Sequence, residues 1–381
     1  MTLTRPVLSS GIPTDYYAPD FLLEIEGQEL DPATKGDVLE VKVVMDIENM
    51  TSAQLTVNNW DDVAFDFKYS DTTTFDVGNR VHVQLGYADR LRSMLRGQIS
   101  TLSPRFPESG PPSMQVNALD GMLQLRDRKP AEGEEKVYTN VADWQIAQRV
   151  AERNGLSVEV TRVGPRHELV VQKNQDDASF LMERAGRIDF DVFITTDQDT
   201  GEATLRFMRP TDGRDAEPVQ VYELRWGHSL MEFTPVLTLS RQVTSVCVRG
   251  WDPRTKSPIT ATATEADLPS LGGNAVLSGP KAAARVGGAK QDVVIDAPVL
   301  SQQEAQELAV SLLTERAYGF VTGSGRMIGL PDLRPGNLMR LLDLGRRFSG
   351  DYKVTKVEHT LGASGFFTQF DVSRLYDGGT T

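Results

Sequence analysis

The sequence lacks several features that define whole classes of protein. It has one cysteine, Cys247, in 381 residues, which excludes an internal disulfide and a disulfide-stapled secreted scaffold. No apolar run is long enough for a membrane span, and residues 1–19 lack the basic start and apolar core of a signal peptide. These absences favour synthesis in a reducing cytoplasm and no direct membrane span.

Basic residues are fewer than acidic ones. Lys and Arg total 40 against 53 for Asp and Glu, which gives a net charge of −13. We therefore expect no stable binding of nucleic acid, because such proteins neutralise phosphates with basic side chains. Aromatic residues make up only 7% of the chain, which disfavours a carbohydrate-binding or adhesion module built on exposed aromatic platforms.

No group of residues forms a catalytic or metal-binding motif. There is no H-E-x-x-H sequence and no cysteine pair. The four histidines lie far apart in the sequence, at His82, His167, His228 and His359. We predict that each is an ordinary surface or strand residue, and we predict no catalytic residue, no metal ligand and no cofactor.

Other reactive residue types have structural explanations. Asp61–Asp62 and Asp176–Asp177 are adjacent pairs, which suit a turn and a helix N-terminus better than an acid and base flanking a bond. The 323–329 segment is glycine-rich but lacks the spacing of a phosphate loop, so we predict the exit from a helix. Cys247 is predicted to be a buried strand thiol, and 251–253 a turn.

Alternating apolar residues dominate the first part of the chain. They predict strands that begin at Phe21, Leu39, Ala53, Val81 and Met114. Turn-rich segments separate these strands, as in a small antiparallel barrel or sandwich.

The pattern changes at Thr139. Asn140 is predicted to cap a helix that stops at Asn154–Gly155, and a second helix is predicted over 177–188. Short strands are predicted at 156–160, 190–195 and 203–208. A small α+β domain is the fold class that this order favours.

Strands are predicted again over 238–249 and from Gly336 to Leu375. The 262–298 segment is rich in Gly and Ala and has no aromatic residue, which predicts a surface insertion. Ser301 and Glu304 form a capping box that predicts a helix over 301–318.

The end of the chain repeats the end of the first strand-rich part. Gly78–Asn79 and Gly336–Asn337 each precede a strand, and Gly97 and Gly350 are predicted to open the next one. Any two antiparallel meanders share some of this pattern, but the matching Gly-Asn pairs favour a duplication.

Both copies of this repeat also share an irregularity. Apolar residues fall three apart at Ile99 and Leu102, and again at Val354 and Val357. A three-residue step breaks strict alternation, so each copy is predicted to carry a β-bulge at the same place.

The fold class predicted from these patterns is mainly β with an α+β insertion. It comprises an N-terminal extension (1–20), a first tube-like antiparallel β-barrel (21–137), a small α+β domain (138–236) and a second tube-like barrel (237–381). The second barrel includes the 262–298 insertion and the 301–318 helix.

Four segments resemble the phage late-control protein D family, which comprises baseplate hub proteins of contractile injection systems. The segments are LRPGN (333–337), GDYKVTKVEH (350–359), VCVRGWDP (246–253) and DASFLMERA (177–185). The same hub fold forms the front part of type VI secretion spike proteins. Together the resemblance spans most of the chain from Phe21 to Leu375.

This resemblance implies a non-enzymatic, structural hub in a phage tail or phage-tail-like injection particle. The hub would be a homotrimeric ring that adapts a six-fold inner tube to a three-fold spike and contacts baseplate wedge or adaptor proteins. Because the chain stops at Thr381, we expect the spike to be a separate polypeptide. A cell-wall hydrolase carried by such a machine, or an adhesion module, remains the alternative.

Overall fold

The computed structural model describes residues 18–88, 90–197, 202–210, 221–269 and 277–378. Most of the predicted N-terminal extension and residue Thr381 fall outside these ranges. The fold is mainly β with an α+β segment, which confirms the predicted fold class, but closed barrels are not shown. Among the described residues, no helix has both the length and the apolarity needed to cross a bilayer.

The first part of the chain forms strands and one short helix. These are β1 (Pro19–Ile25), β2 (Gln28–Glu29), α1 (Pro32–Asp37), β3 (Val38–Asp46), β4 (Ser52–Asn58), β5 (Trp60–Asp61), β6 (Asp66–Phe67), β7 (Arg80–Tyr87), β8 (Arg90–Arg105) and β9 (Ser113–Asp120). The long strands bury every second side chain, as the alternation predicted, and Val41 and Val43 are fully buried.

The middle part mixes helices with short strands. It contains α2 (Met122–Asp127), β10 (Val137–Ala142), α3 (Asp143–Arg153), β11 (Ser157–Val160), β12 (Arg166–Val171), α4 (Asp177–Gly186), β13 (Asp191–Thr196) and β14 (Ala203–Met208). The apolar stripes of α3 and α4 pack in one core with the inner faces of β13 and β14. This part is a separate packing unit, because its core is distinct from those on either side.

The last part returns to strands around a long helix. Its elements are β15 (Val221–Arg225), β16 (Leu230–Leu237), β17 (Ser245–Asp252), β18 (Ser257–Thr264), β19 (Leu277–Ser278), α5 (Gly279–Gly287), β20 (Gln291–Val294), α6 (Gln302–Tyr318), β21 (Val321–Ile328), β22 (Leu338–Leu342), α7 (Gly345–Phe348), β23 (Gly350–Gly362), β24 (Gly365–Arg374) and β25 (Tyr376–Asp377). A 3₁₀ helix covers Glu265–Asp267.

One large sheet runs through both strand-rich parts. Its order is β16-β21-β24-β23-β3-β4-β9-β8-β7-β1-β2, and β22 pairs with both β15 and β23. The strands of the first and last parts meet where β23 pairs with β3. The two parts therefore share one continuous hydrogen-bonded sheet. The last part begins at β15, before the predicted domain boundary at residue 237.

The N-cap of α6 at Ser301 is confirmed, but Glu304 bonds to the residue before the cap rather than to the cap itself, so the capping box is incomplete. The Ser301 hydroxyl accepts a hydrogen bond from the N–H of Glu304, and the Glu304 carboxylate accepts one from the N–H of Leu300. Buried Ala305, Leu308 and Ala309 pack in one core with residues of β17 and β18. The cap and the apolar stripe together explain why a helix forms here.

Glycines account for two wrong predictions. Gly97 does not open a strand but lies within β8, where an added Cβ would lie 1.9 Å from the Leu119 carbonyl oxygen. The 323–329 segment is mostly strand β21 and not a helix exit. Added Cβ atoms at Gly323 and Gly325 would collide with the rings of Phe233 and Phe370. These glycines permit close approach within a sheet.

Three boundaries also differ from prediction. Asn140 does not cap a helix but lies in β10 with φ +51°, and α3 begins three residues later, where the Gln145 side chain accepts from the N–H of Ala142. Residues 238–244 are not strand, because β16 ends at Leu237 and β17 begins at Ser245. Trp251 lies in β17, and the turn follows it.

The glycine of the second Gly-Asn pair provides a test of the shared turn. Gly336 has φ +85°, and no atom lies within 4 Å of an added Cβ, so Gly336→Ala introduces backbone strain without a clash. We expect a loss of about 1 kcal/mol in the free energy of unfolding by chemical denaturation. Gly36→Ala, in helix α1 with equally open space, is the matched control and should not destabilise. Equal effects of both substitutions would contradict the assignment of strain.

Candidate assembly interface

The two strand-rich parts contain the same turn, as the Gly-Asn pairs predicted. In the first part, Gly78 N–H donates to the Ile99 carbonyl at 2.8 Å, and Ile99 N–H donates to the Asn79 carbonyl at 2.9 Å. In the second, Gly336 donates to Val354 at 2.8 Å and Val354 to Asn337 at 2.9 Å. Matching hydrogen bonds at matching residues indicate that β7-β8 and β22-β23 are equivalent.

The predicted bulges are also confirmed. The register shifts between Ile99 and Thr101 in β8 and between Val354 and Lys356 in β23. The extra residues, Ser100 and Thr355, each donate a side-chain hydroxyl to a carbonyl of the partner strand at 3.2 Å. Because the two bulges match, Ile99 aligns with Val354. Each later residue of β8 then aligns with the residue of β23 at the same distance from the bulge.

A second pair of bulges extends the repeat to strands that the sequence pattern did not align. The register shifts between Val38 and Glu40 in β3 and between Leu230 and Glu232 in β16. The bulged residues Leu39 and Met231 are 52% and 51% exposed. Five strands of each part therefore correspond: β3, β4, β9, β8 and β7 match β16, β21, β24, β23 and β22.

The second copy joins the first through a ladder between β23 and β3. Seven residue pairs, from Lys356 opposite Asp46 to Gly362 opposite Glu40, define its register. The N–H of Ile47 donates to the Thr355 carbonyl at 3.2 Å, and bonded pairs alternate in antiparallel ladders. His359 and Val43 are consequently a bonded pair. Lys42 and Glu358 add an ion pair at 2.7 Å.

The equivalent strands at the far ends have open edges in the described part of the chain. Residues 100–105 of β8 pair with β9 on one side and lie beyond the last pair with β7, Arg80–Gln98. Strand β16 pairs with β21 on one side. These edges are the first copy's β8, which matches β23, and the second copy's β16, which matches β3. Within the described ranges, the strands that are equivalent to the junction strands β23 and β3 therefore each have an unpaired edge, one at each end of the run of strands from β16 to β8.

Each of the two open edges contains a proline, Pro104 in β8 and Pro235 in β16. Thr238 N–H donates to the Phe320 carbonyl, so the main chain of Pro235, three residues earlier, faces away from β21. Pro104 occupies the position of His359 in the alignment of β8 with β23. Prolines at edge strands block indiscriminate pairing. The sequence patterns did not reveal either edge, although a proline within an alternating run is the local signal of an edge strand.

The eight strands from β16 to β8 in the sheet order form a sheet with one polar face. Residues opposite one another across the sheet share this face, as Glu358 does with Gln369 and Arg326. Its exposed and half-exposed charged side chains are five acids and five bases: Glu40, Asp46, Glu232, Glu358, Asp371, Lys42, Arg96, Arg105, Arg326 and Lys356. The face is therefore nearly neutral, although the chain carries a charge of −13.

The histidines are separate, and three of them, His82, His167 and His359, are buried residues of strands β7, β12 and β23. His359 is fully buried, and its burial lowers its pKa to about 3, so the ring is neutral. Its Nε2 donates to the Leu333 carbonyl, and its Nδ1 lies 2.9 Å from the Thr368 hydroxyl. His82 lies between Glu24 and Ser93. In the described ranges, no three His, Cys, Asp or Glu side chains form a group that could hold a metal ion.

His167 belongs to a buried ionic cluster between the α+β part and helix α6. Its Nε2 lies 2.9 Å from Asp143 and its Nδ1 3.5 Å from Glu304, while Arg187 Nη2 lies 3.0 Å from Glu304. Burial lowers the pKa of His167, but the hydrogen bonds with Asp143 and Glu304 outweigh it and raise the pKa above 6.5. The cluster fastens the middle part to the N-terminus of α6.

The remaining predicted residues have the structural roles expected of them. Asp61 accepts hydrogen bonds from the N–H groups of Val63 and Ala64, as in a turn. Asp176 caps α4 by accepting from Ser179 N–H. Cys247 is buried in β17, as predicted.

Solved structures with the same fold are components of tails and of a secretion machine. The prophage MuSo2 43 kDa tail protein from Shewanella oneidensis superposes with a TM-score of 0.68 at 14% identity, covering 94% of this chain and 98% of that one. A tail protein from Neisseria meningitidis gives 0.66 at 11% identity, covering 94% and 97%. An Escherichia coli component of the type VI secretion system gives 0.57 at 13% identity, covering 94% and 79%.

These structures define the class by fold: the chain has the architecture of phage tail proteins, which confirms the resemblance to baseplate hub-type proteins. Residues 18–363 match the family model described as the Alg8 N-terminal domain, and the chain belongs to that family. No curated protein matches the sequence.

Replacing Glu304 by Gln tests the ionic cluster. Burial raises the pKa of Glu304, but His167, the N–H of Leu300 and Arg187 hold it at about 2. Loss of this carboxylate should lower the pKa of His167 in an NMR titration. Ionised Glu304 stabilises the fold above pH 4.5, and this contribution is lost as pH falls through its lowered pKa. Protonated His167 stabilises the fold below pH 6.5, and this contribution is lost as pH rises through its raised pKa.

The destabilisation by Glu304→Gln should therefore be largest between these two pH values. Glu168→Gln, which removes an exposed partner of Arg254, is the control and should leave the titration of His167 unchanged. An unaltered pKa of His167 in Glu304→Gln would show that the cluster is not coupled.

Proposed function

We propose that this protein is the structural hub of a contractile injection particle or phage tail, assembled as a homotrimeric ring. The observation that carries the proposal is the repeated five-strand unit with one internal junction and two open, matching edges. Two equivalent units per chain give six equivalent positions when three chains close a ring. Such a ring adapts a six-fold inner tube to a three-fold spike.

The internal junction supplies a template for the contact between subunits. We align β8 on β23 and β16 on β3. In this alignment, residues 101–107 of one chain pair antiparallel with residues 232–238 of the next chain. Ser103 then lies opposite Val236, as Glu358 lies opposite Val44 within the chain. A head-to-tail contact of this kind joins the open edge of each chain to the complementary edge of its neighbour.

Closure of the ring would place the polar face along its axis, because the opposite face of these strands packs into the cores. Its five acids and five bases, set among many Ser, Thr, Asn and Gln side chains, make a nearly neutral wall. Nucleic acid or protein cargo would pass such a wall without strong adhesion.

The proposal also fixes the roles of the parts. The first tube-like unit runs from β1 to β9, the α+β part from α2 to β14, and the second unit begins at β15. The particle would be built in the cytoplasm, and the hub would contact the inner tube, a spike, and wedge or adaptor proteins. The hub would have no catalytic role, so the purified chain should not cleave peptidoglycan, which distinguishes it from a carried cell-wall hydrolase.

A disulfide between subunits tests the ring contact. Ser103 and Val236 are exposed on the polar face, and the template makes them a non-bonded antiparallel pair, whose Cα atoms lie about 4.5 Å apart. Ser103→Cys/Val236→Cys should give covalent trimers under mild oxidation, seen by denaturing electrophoresis without reductant.

The control is Gln115→Cys/Val236→Cys, with one cysteine on β9, a strand inside the edge. It should remain uncrosslinked. Equal crosslinking in both variants, or none in the first, would contradict the proposed register.

A further inference from the structure

An exposed aromatic hairpin lies between β4 and β7. We call residues 59–68 the aromatic finger. Trp60 contacts Phe65 and Phe67 edge-to-face, with ring centroids 6.4 and 5.6 Å apart, and Phe67 contacts Phe106 at 5.3 Å. Phe65 is 78% and Phe106 60% exposed. A clustered apolar surface of this kind marks a contact site.

The finger is held rigidly at its base. The Asn59 side chain donates to the Ser70 hydroxyl at 2.7 Å and accepts from Tyr69 N–H at 2.8 Å. Lys68 forms an ion pair with Asp37 at 2.8 Å, and the Tyr69 hydroxyl donates to the same carboxylate. The aromatic rings are therefore presented to the outside by an ordered support.

The finger belongs to one copy of the repeat only. Residues 59–79 connect β4 to β7, whereas residues 329–337 make the equivalent connection between β21 and β22. The shorter connection suffices for the fold of the repeat. The finger is thus an addition to the first copy of the repeat, which also contains the open edge of β8.

The repeat also shows what the finger faces. Phe106 occupies the position of Leu361, which lies opposite Val41. Since Val41 matches Phe233, the ring register brings Phe106 against Phe233 of the next chain. Met231, half exposed on its bulge, is two residues from Phe233 and at the same end of β16.

The contact between subunits lacks two interactions that stabilise the internal junction. Pro104 and Pro235 replace the bonded pair His359 and Val43, so both N–H donors are missing. Ser103 and Thr234 replace Glu358 and Lys42, so the ion pair is missing as well. Main-chain pairing alone would therefore hold this contact more weakly than the internal one.

We propose that the aromatic finger and Phe106 clamp the start of β16 in a second copy of this chain, packing on Phe233 and Met231. This inference rests on the proposed ring. Aromatic packing at this end compensates for the interrupted ladder and provides the buried centre that stable interfaces need.

Four single substitutions test the clamp by analytical ultracentrifugation of the full chain. Phe65→Ser, Phe106→Ser and Met231→Ser should each raise the concentration of half-assembly about tenfold or more. Leu39→Ser is the matched control, because Leu39 is the equivalent of Met231, is equally exposed and lies at the internal junction. It should leave assembly unchanged.

Non-additive effects in the double variant Phe106→Ser/Met231→Ser would support direct contact between these residues. Unchanged thermal unfolding of the dilute variants checks that the subunit fold is intact. A wild-type chain that stays monomeric would overturn the ring and the clamp together. A trimer that forms equally well in the Phe65, Phe106 and Met231 variants would overturn the clamp alone and leave the ring standing.

Discussion

The structure depends on the antiparallel ladder between β23 and β3. With the hydrogen bond from the Tyr87 hydroxyl to the Gly329 carbonyl and the ion pair of Arg92 with Asp332, it joins the two strand-rich parts directly. With it, their central strands form one sheet with a polar face and a buried face. The seven residue pairs, the Lys42–Glu358 ion pair and the bonded pair of His359 with Val43 all contribute to this single contact.

The same ladder explains why the molecule has two unlike ends. A repeated unit that pairs with its copy through one edge must leave the complementary edge free at each end. In this chain, both free edges carry a proline where the internal junction has a bonded residue. An isolated subunit is thereby protected from indiscriminate strand pairing, and assembly is directed to a neighbour that supplies side-chain contacts.

Local patterns in the sequence were sufficient for the repeat but not for its arrangement. Gly78 and Gly336, both at positive φ, and the three-residue apolar steps at Ile99 and Val354 revealed the turns and the bulges because these features are local. Pairing of β23 with β3 joins residues more than 300 positions apart, and no periodicity encodes it. The aromatic finger was missed for a related reason: outside regular strands, exposed aromatics have no alternation to reveal them.

We propose that three chains close a ring in which the two copies of the repeat alternate. The most direct measurement is a cryo-electron microscopy reconstruction of the purified assembly, calculated without imposed symmetry. The account predicts a particle of three times the 42.0 kDa chain mass, with six near-equivalent strand units around one axis and β8 of each chain beside β16 of the next. A particle in which these two edges face solvent, or in which the two copies lie at different radii, would contradict it.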